Sequence, residues 1–396
     1  MNKCVQLALL SSVLISNGTH ARVIYGEDHR KEVSEATPFQ QKLAQSAASM
    51  ISEKEMTRDS SKPGLVQFNQ KTLSDWLTSQ GEEESMKLNK LFSSKVRESS
   101  KAGLTFCEGE RFIDQPNPGM CSGFLIAPDL VVTAGHCADL PSFCSEYRWV
   151  FGFQVNPETK KAGVDIKEED IYKCKKVVSN LLSMPLGLDY AIVQLDRKVK
   201  GREPLEIRND SQVENNAPLL VIGSPSGLPL KVAAGGNVRS NQHPYYFNAN
   251  LDTFQGNSGS AVFNAETGVV EGILVRGEED FVPNQAKMCI EAKKCKDNEC
   301  RGEDITRLTA IPEIGIQKAL NKAAASGDVN VLKSLLKLNV WVDFYGKDGE
   351  SSLMKAALAG QVKSMEVLIA KGADLNLKNA NGDTAVLLAA RSLNLE

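Results

Sequence analysis

Hydrophobic and polar positions divide the chain into stretches of different rhythm. Residues 4–15 are mostly apolar, behind a lysine at position 3 and ahead of a short polar run that closes on Thr19 and Ala21. From 32 to 102 the chain is rich in Ser, Lys, Glu and Gln, with apolar residues at helical spacing in two places, Leu73, Trp76, Leu77 and Met86, Leu88, Leu91, Phe92. From 105 to 309 short apolar runs take over, at 124–126, 130–133, 149–153, 191–195, 219–222, 245–247, 261–263 and 269–275, separated by Gly, Pro and Asn. Runs of strand length bounded by turn residues predict an all-β barrel or sandwich. Beyond residue 316 the same letters return every 33 residues: Ala323, Ala356 and Ala389, Gly327 and Gly360, Leu335 and Leu368, Gly349 and Gly382. Such a period predicts paired helices stacked side by side.

The apolar leader, with small residues before its end, reads as a secretory signal over 1–21. About a dozen residues are too few to span a bilayer, and no later stretch is long enough, so an exported protein, secreted or periplasmic and without a membrane partner, is expected. A formal charge of −3 gives no reason to expect nucleic acid. Of nine cysteines one, Cys4, lies in the leader; Cys107, Cys121, Cys137, Cys144, Cys174, Cys289, Cys295 and Cys300 form an even set suited to an oxidising compartment. Cys289, Cys295 and Cys300 have no nearby histidine and lack zinc-ribbon spacing, so no metal is expected, nor any cofactor. Cys144 and Cys174 flank one predicted strand region and are paired on that ground.

Candidate chemistry gathers on Asp252-Thr253-Phe254-Gln255-Gly256-Asn257-Ser258-Gly259-Ser260. Glycines beside a serine permit a sharp turn that exposes its hydroxyl and lets the amides of Gly256 and Ser258 converge on one point, an oxyanion hole in outline. A nucleophilic serine needs a base. Of four histidines, His20, His29, His136 and His243, only His136 follows a β-branched strand and small residues, in Val131-Val132-Thr133-Ala134-Gly135-His136-Cys137.

Gly-Asn-Ser-Gly-Ser and Thr-Ala-Gly-His-Cys resemble the nucleophile and histidine motifs of the chymotrypsin/trypsin-like serine proteases, in particular the bacterial branch with the glutamyl endopeptidases. Val23-Ile24 with Asp28 a few residues on is similar to the mature start of that branch. The resemblance implies a two-barrel domain over 105–309, a disulfide between Cys121 and Cys137, and a triad of Ser258, His136 and Asp189. Asp189 opens a segment similar to the family's Asp-x-Ala-x-x-x-Leu, whereas Asp196 and Asp165 lack that context. The 33-residue pattern, best matched at 367–376, resembles ankyrin repeats, about two and a half of them over 316–396. Residues 22–104 are then either a pro-segment or a partly helical insertion after the first barrel strand. Asn257 stands where trypsin-type zymogens place an aspartate, so no new amine is expected to be needed to shape the loop.

The resemblance also bears on substrate. Asp252, six residues before Ser258, occupies the family's pocket-base position and favours cleavage after Lys or Arg. Arg276 and Gly277 lie on the family's pocket strand; Arg276 either points to solvent, neutralises Asp252, or receives an acidic substrate. The expected function is a secreted serine endopeptidase acting on protein or peptide substrates, with ankyrin repeats that bind a protein partner or cap the protease. Cleavage after Glu, or a protease fold retained as an inactive binding module, are the alternatives.

Overall fold

The computed structural model describes residues 23–79, 92–140, 142–338, 340–344, 349–379 and 381–393. The leader and the helical spacing at Met86, Leu88 and Leu91 lie outside the described residues. Among those described, no helix is long and apolar enough to cross a membrane.

Alternating and fully apolar runs close into two barrels. In the first, Ile171–Ser183 pairs with Leu188–Leu195, then Leu130–Thr133, Gly119–Ala127, Ala47–Ser52 and Tyr147–Phe151, which returns to Ile171–Ser183. In the second, Pro218–Gly223 pairs with Ala261–Asn264, Val270–Arg276, Glu303–Arg307, Tyr246–Ala249 and Lys231–Ser240, which closes on Pro218–Gly223. Each ring removes its own edges and buries one face of every strand. Val131, Val132, Ile192 and Val193 of the first barrel share one apolar cluster with Leu220, Ile222, Ala261, Phe263 and Ile273 of the second, while Val221, Val238, Phe247, Val262, Leu274 and Ile305, from the alternate face of the second barrel's strands, form a separate cluster.

The boundary drawn at 105 from composition does not hold. Ala47–Ser52 is a stave of the first barrel, paired on both edges, and Arg30–Glu32 adds to the second barrel beside Lys231. Ala-Ala-Ser-Met-Ile-Ser escaped notice because its small residues give no apolar run. Leu73–Thr78 is helical as its spacing predicts, with Leu73, Trp76 and Leu77 buried. Four disulfides cross the domain: Cys121–Cys137 and Cys144–Cys174 as expected, with Cys107–Cys289 and Cys295–Cys300.

After Glu303–Arg307 the chain turns into helix Pro312–Ser326, with proline in its first turn and Gly327 ending it at positive φ. Helices Val329–Leu335, Ser352–Leu358, Val362–Ala370 and Ala385–Leu393 complete the stack around Leu320, Leu332, Leu353 and Leu368. Its first layer leans on the barrels. Ile311, Ile314 and Phe344 join the barrel core, Tyr190 Oη lies 3.4 Å from Glu313, and Lys198 pairs with Asp374.

A buried lysine fastens the N-terminal segment to the second barrel. Lys231, 2% exposed, donates to Glu32 at 3.1 Å, Gln115 at 2.8 Å and the Pro229 carbonyl at 3.1 Å. Burial pushes its ammonium down to about 8, with Glu32 pulling the other way. The unfolded chain keeps that proton up to the ordinary lysine range, so from about pH 8 upward the unfolded state binds more protons and stability rises with pH. Below pH 8 the cost of the buried charge is felt in full. Urea midpoints of wild type against Lys231→Met should therefore diverge in favour of wild type between about pH 8 and 10, and run parallel between about pH 6 and 7.

Candidate active site

The His136 motif folds as its letters require. Strand Leu130–Thr133 runs into the short helix Gly135–Ala138, and Gly135 is the point of closest approach: a Cβ there would lie 2.7 Å from the Leu181 carbonyl and 2.9 Å from that of Tyr190. Only glycine lets the histidine turn down onto the strand carrying Asp189. The imidazole Nδ1 sits 2.8 Å from Asp189 Oδ2, and the His136 amide donates to Oδ1 at 3.1 Å.

Asp189 is fully buried, and its backbone carbonyl accepts the Thr306 hydroxyl at 3.1 Å. Burial alone would raise its carboxyl, but the His136 imidazole, that ring's hydrogen bond and the His136 amide outweigh it and hold the group below the usual carboxylate range. An ionised carboxylate only accepts, so Nδ1 carries the ring proton and Nε2 is the acceptor. Asp196 instead holds the Lys173 amide at 2.9 Å and pairs with Arg197, and Asp165 pairs with Lys62.

The Ser258 loop is set against the same wall. Ser258 accepts the Ser122 amide through its carbonyl at 2.8 Å, and the Cys137 sulfur lies 3.8 Å from that oxygen. Gly256 has φ of +94°, with the Ser224 carbonyl 2.5 Å from where a Cβ would stand; Gly259 has φ of +89°, with the Ser122 carbonyl at 2.1 Å. Asn257 donates to Phe254 at 3.0 Å and Ser260 to Asn257 at 2.8 Å, closing the turn. The Asn257 side chain accepts the Ser260 hydroxyl at 3.2 Å. Cys121, His136 and Cys137 bring ligand-type atoms within 4.8 Å of one another, but the two sulfurs are bonded to each other.

The pocket residues are placed differently from expectation. Asp252 is buried and accepts the Tyr25 amide at 2.7 Å, the His29 amide at 2.8 Å and His29 Nδ1 at 3.1 Å, so its carboxylate binds the chain's own N-terminal segment. Burial raises this carboxyl, partly offset by those amides. Arg276 neither faces solvent nor reaches Asp252. It pairs with Asp304 at 3.3 Å and donates to the Gly187 carbonyl at 3.0 Å. Gly277 faces Glu303, whose Oε2 lies 2.1 Å from where a Cβ would be. The sequence carries no signal for Thr306 or Glu303; His29 stands out only as one of four histidines, and Ser122 only as the residue that opens the apolar segment after Cys121.

Residues 121–273 match the trypsin-like peptidase domain, and 307–396 match ankyrin repeats in three copies. The chain carries a trypsin-like peptidase domain joined to ankyrin repeats. Curated proteins similar to it include the ankyrin repeat and KH domain-containing protein mask-1 of Caenorhabditis elegans, 26% identical over 149 residues, 37% of this chain and 6% of that one. Another is the inactive serine/threonine-protein kinase TEX14 of Mus musculus, 39% identical over 79 residues, 20% of this chain and 5% of that one. The chain thus spans only about a twentieth of the length of these relatives. Among solved structures, a Glu endopeptidase in complex with MPD aligns with TM-score 0.37 and 15% identity, over 73% of this chain and 94% of that one. The Vibrio cholerae VesB protease aligns with TM-score 0.39 and 13% identity, over 75% and 68%.

The Ser258 loop of the peptidase domain is intolerant of one methyl group. Gly259→Ala adds a Cβ against the Ser122 carbonyl and the Thr133 hydroxyl, and asks alanine to hold positive φ. A loss of about 3 kcal/mol in chemical denaturation is expected, whereas Gly201→Ala, at positive φ in open space, should cost about 1 kcal/mol.

Proposed function

We propose that this chain is an exported serine endopeptidase. His136 takes the hydroxyl proton of Ser258 as the oxygen attacks a peptide carbonyl; the bond to the leaving amine breaks as His136 returns that proton to it. Water, deprotonated by the same ring, then releases the acyl group. Asp189 holds the ring and stabilises the imidazolium. The Gly256 and Ser258 amides would steady the oxyanion, each donor worth about 3–4 kcal/mol in related sites. The chemistry asks for no cofactor. What supports this reading above all is the 2.8 Å contact of His136 Nδ1 with a buried, acidified Asp189.

The preferred acyl-side residue is Lys or Arg, and the ankyrin repeats serve as a surface for a protein partner as well as a brace for the peptidase. Eight cysteines in four disulfides are consistent with an extracellular or periplasmic setting.

A fluorophosphonate probe should label Ser258 in wild type and leave Ser258→Ala unmodified, read by peptide mass. Asp189→Asn should lower kcat by about four orders of magnitude, because the amide favours the wrong ring tautomer. A folded wild type that takes no label would instead be a protease-shaped binding module.

A further inference from the structure

We infer that Asp280, which no motif marks, is a positioning residue of the site: through the Gln255 amide it helps to fix the peptide unit that carries the Gly256 N–H, and so sets how well an oxyanion is held. This rests on the peptidase reading, in which the Gly256 amide steadies the oxyanion.

The chain ahead of Ser258 is a tight turn with a choice built into it. The Asn257 amide donates to the Phe254 carbonyl at 3.0 Å, and Gly256, third of the four residues, has φ of +94°, the mark of a type II turn. The same end-to-end bond also closes a type I turn, in which the central peptide, Gln255–Gly256, is reversed, and glycine accepts both forms. Asn257 brings no charge to decide between them. The choice falls to the groups that hold the central residues. The Gln255 carbonyl accepts the Ser226 amide, the Gly256 carbonyl accepts the Ser122 hydroxyl at 2.8 Å, and the Gln255 amide donates to Asp280 Oδ2 at 2.9 Å. Bonds on both sides of the Gln255 Cα fix its two soft dihedrals, and the planar unit that follows, with the Gly256 N–H on it, is fixed with them.

Asp280 is the anchor that comes from outside the barrel seam, and its own place is firmly held. It is buried, its carbonyl accepts the Lys293 amide at 2.8 Å, and it opens a hairpin in which Phe281–Asn284 pairs with Cys289–Ala292. That hairpin is bonded to the N-terminal segment: the Ile290 amide donates to the Thr105 carbonyl and the Cys107 amide to the Ile290 carbonyl, both at 2.8 Å, and Cys107 is joined to Cys289. Phe281 carries the same body to the turn. Its ring centre lies 5.2 Å from that of Phe106 and 5.3 Å from that of Phe254, the residue before Gln255, in an apolar cluster with Ile24, Val96 and Ile290. Phe254 cannot slide, so the Asp280 oxygen meets the Gln255 amide at a set distance, and a bond from an amide to a carboxylate is about twice as strong as one to a neutral acceptor.

The test compares wild type with Asp280→Ala, Asp280→Asn and Asp280→Glu on fluorogenic peptides with Lys, Arg, Leu or Glu before the cut, and then on a trifluoromethyl ketone made from the best of these peptides and on the corresponding alcohol. Ser258 adds to the ketone carbon, its proton passes to His136, and the carbonyl oxygen becomes an alkoxide in the position of the oxyanion; the alcohol forms no such bond. Asp280→Ala should lower kcat by about 100-fold with KM within about threefold, the scale of one lost oxyanion donor, and should weaken the ketone by about the same factor while leaving the alcohol unaffected. Asp280→Asn keeps an acceptor oxygen at the same reach and should restore kcat to within about 10-fold of wild type. Each variant is read beside its urea midpoint. Where Asp280→Ala does not fold, Asp280→Glu, which keeps the charge and moves the oxygen by one methylene, gives the second reading, with kcat at least about 10-fold down at unchanged KM. A folded Asp280→Ala or Asp280→Glu with the kcat of wild type, an Asp280→Asn as slow as Asp280→Ala, or equal weakening of ketone and alcohol would overturn the assignment. A wild type that cleaves no peptide and takes no fluorophosphonate label sinks the peptidase reading itself, whereas a labelled wild type with indifferent Asp280 variants sinks Asp280 alone.

Discussion

Two barrels that close separately share no strand; an apolar cluster common to both joins them, and at the seam beside the site Ser122 supplies three of the polar bonds that fix their relative position. Its amide holds the Ser258 carbonyl, its hydroxyl donates to the Gly256 carbonyl at 2.8 Å while accepting the Ser224 amide at 2.9 Å, and its own carbonyl takes the Thr133 hydroxyl at 2.7 Å. One residue of the first barrel thus pins both ends of the Ser258 turn and the strand that leads to His136. Glycine at 259 is what allows the approach, and the Cys121–Cys137 bond sits immediately beside it. The geometry of the site is a consequence of this contact more than of either barrel alone.

Much of this could be seen in the letters, for a physical reason. His136, Asp189 and Ser258 sit in local motifs whose neighbours are dictated by close backbone approach: Gly135, Gly256 and Gly259 each stand where a Cβ has no room. The 33-residue period was legible because each repeat buries the same positions against the next. What could not be read depends on partners far away in sequence. Asp252 announces a carboxylate six residues before Ser258, but not that amides 223 and 227 positions earlier would occupy it. Strand Ala47–Ser52 has too little apolar bulk to stand out, and its pairing with Gly119–Ala127 and Tyr147–Phe151 is entirely nonlocal.

The ankyrin stack illustrates how a short repeat array is made viable. Its first helix is continuous with the last barrel strand through Leu308–Ala310, and Ile311, Ile314 and Phe344 give it an apolar floor that an isolated end repeat would have to replace with polar residues. Thr306, which clasps the Asp189 carbonyl, lies six residues before Pro312 at the start of that helix. Peptidase and repeats therefore share a core as well as a backbone.

The way the N-terminal segment is secured sets the order in which the domain can be made. Ile24 and Tyr25 pair with Lys294 and Cys295, Tyr25 accepts the Gly302 amide through its hydroxyl at 2.8 Å, and Cys107 is bonded to Cys289. The first described residues to leave the ribosome are among the last to find their places. No N-terminal portion of the peptidase domain is complete until roughly residue 307 has been synthesised, so folding must wait for nearly the whole domain and then proceed through distant contacts, which is slow. A chain that stays open for so long remains threadable through a narrow pore, and only afterwards becomes a closed, cross-linked body.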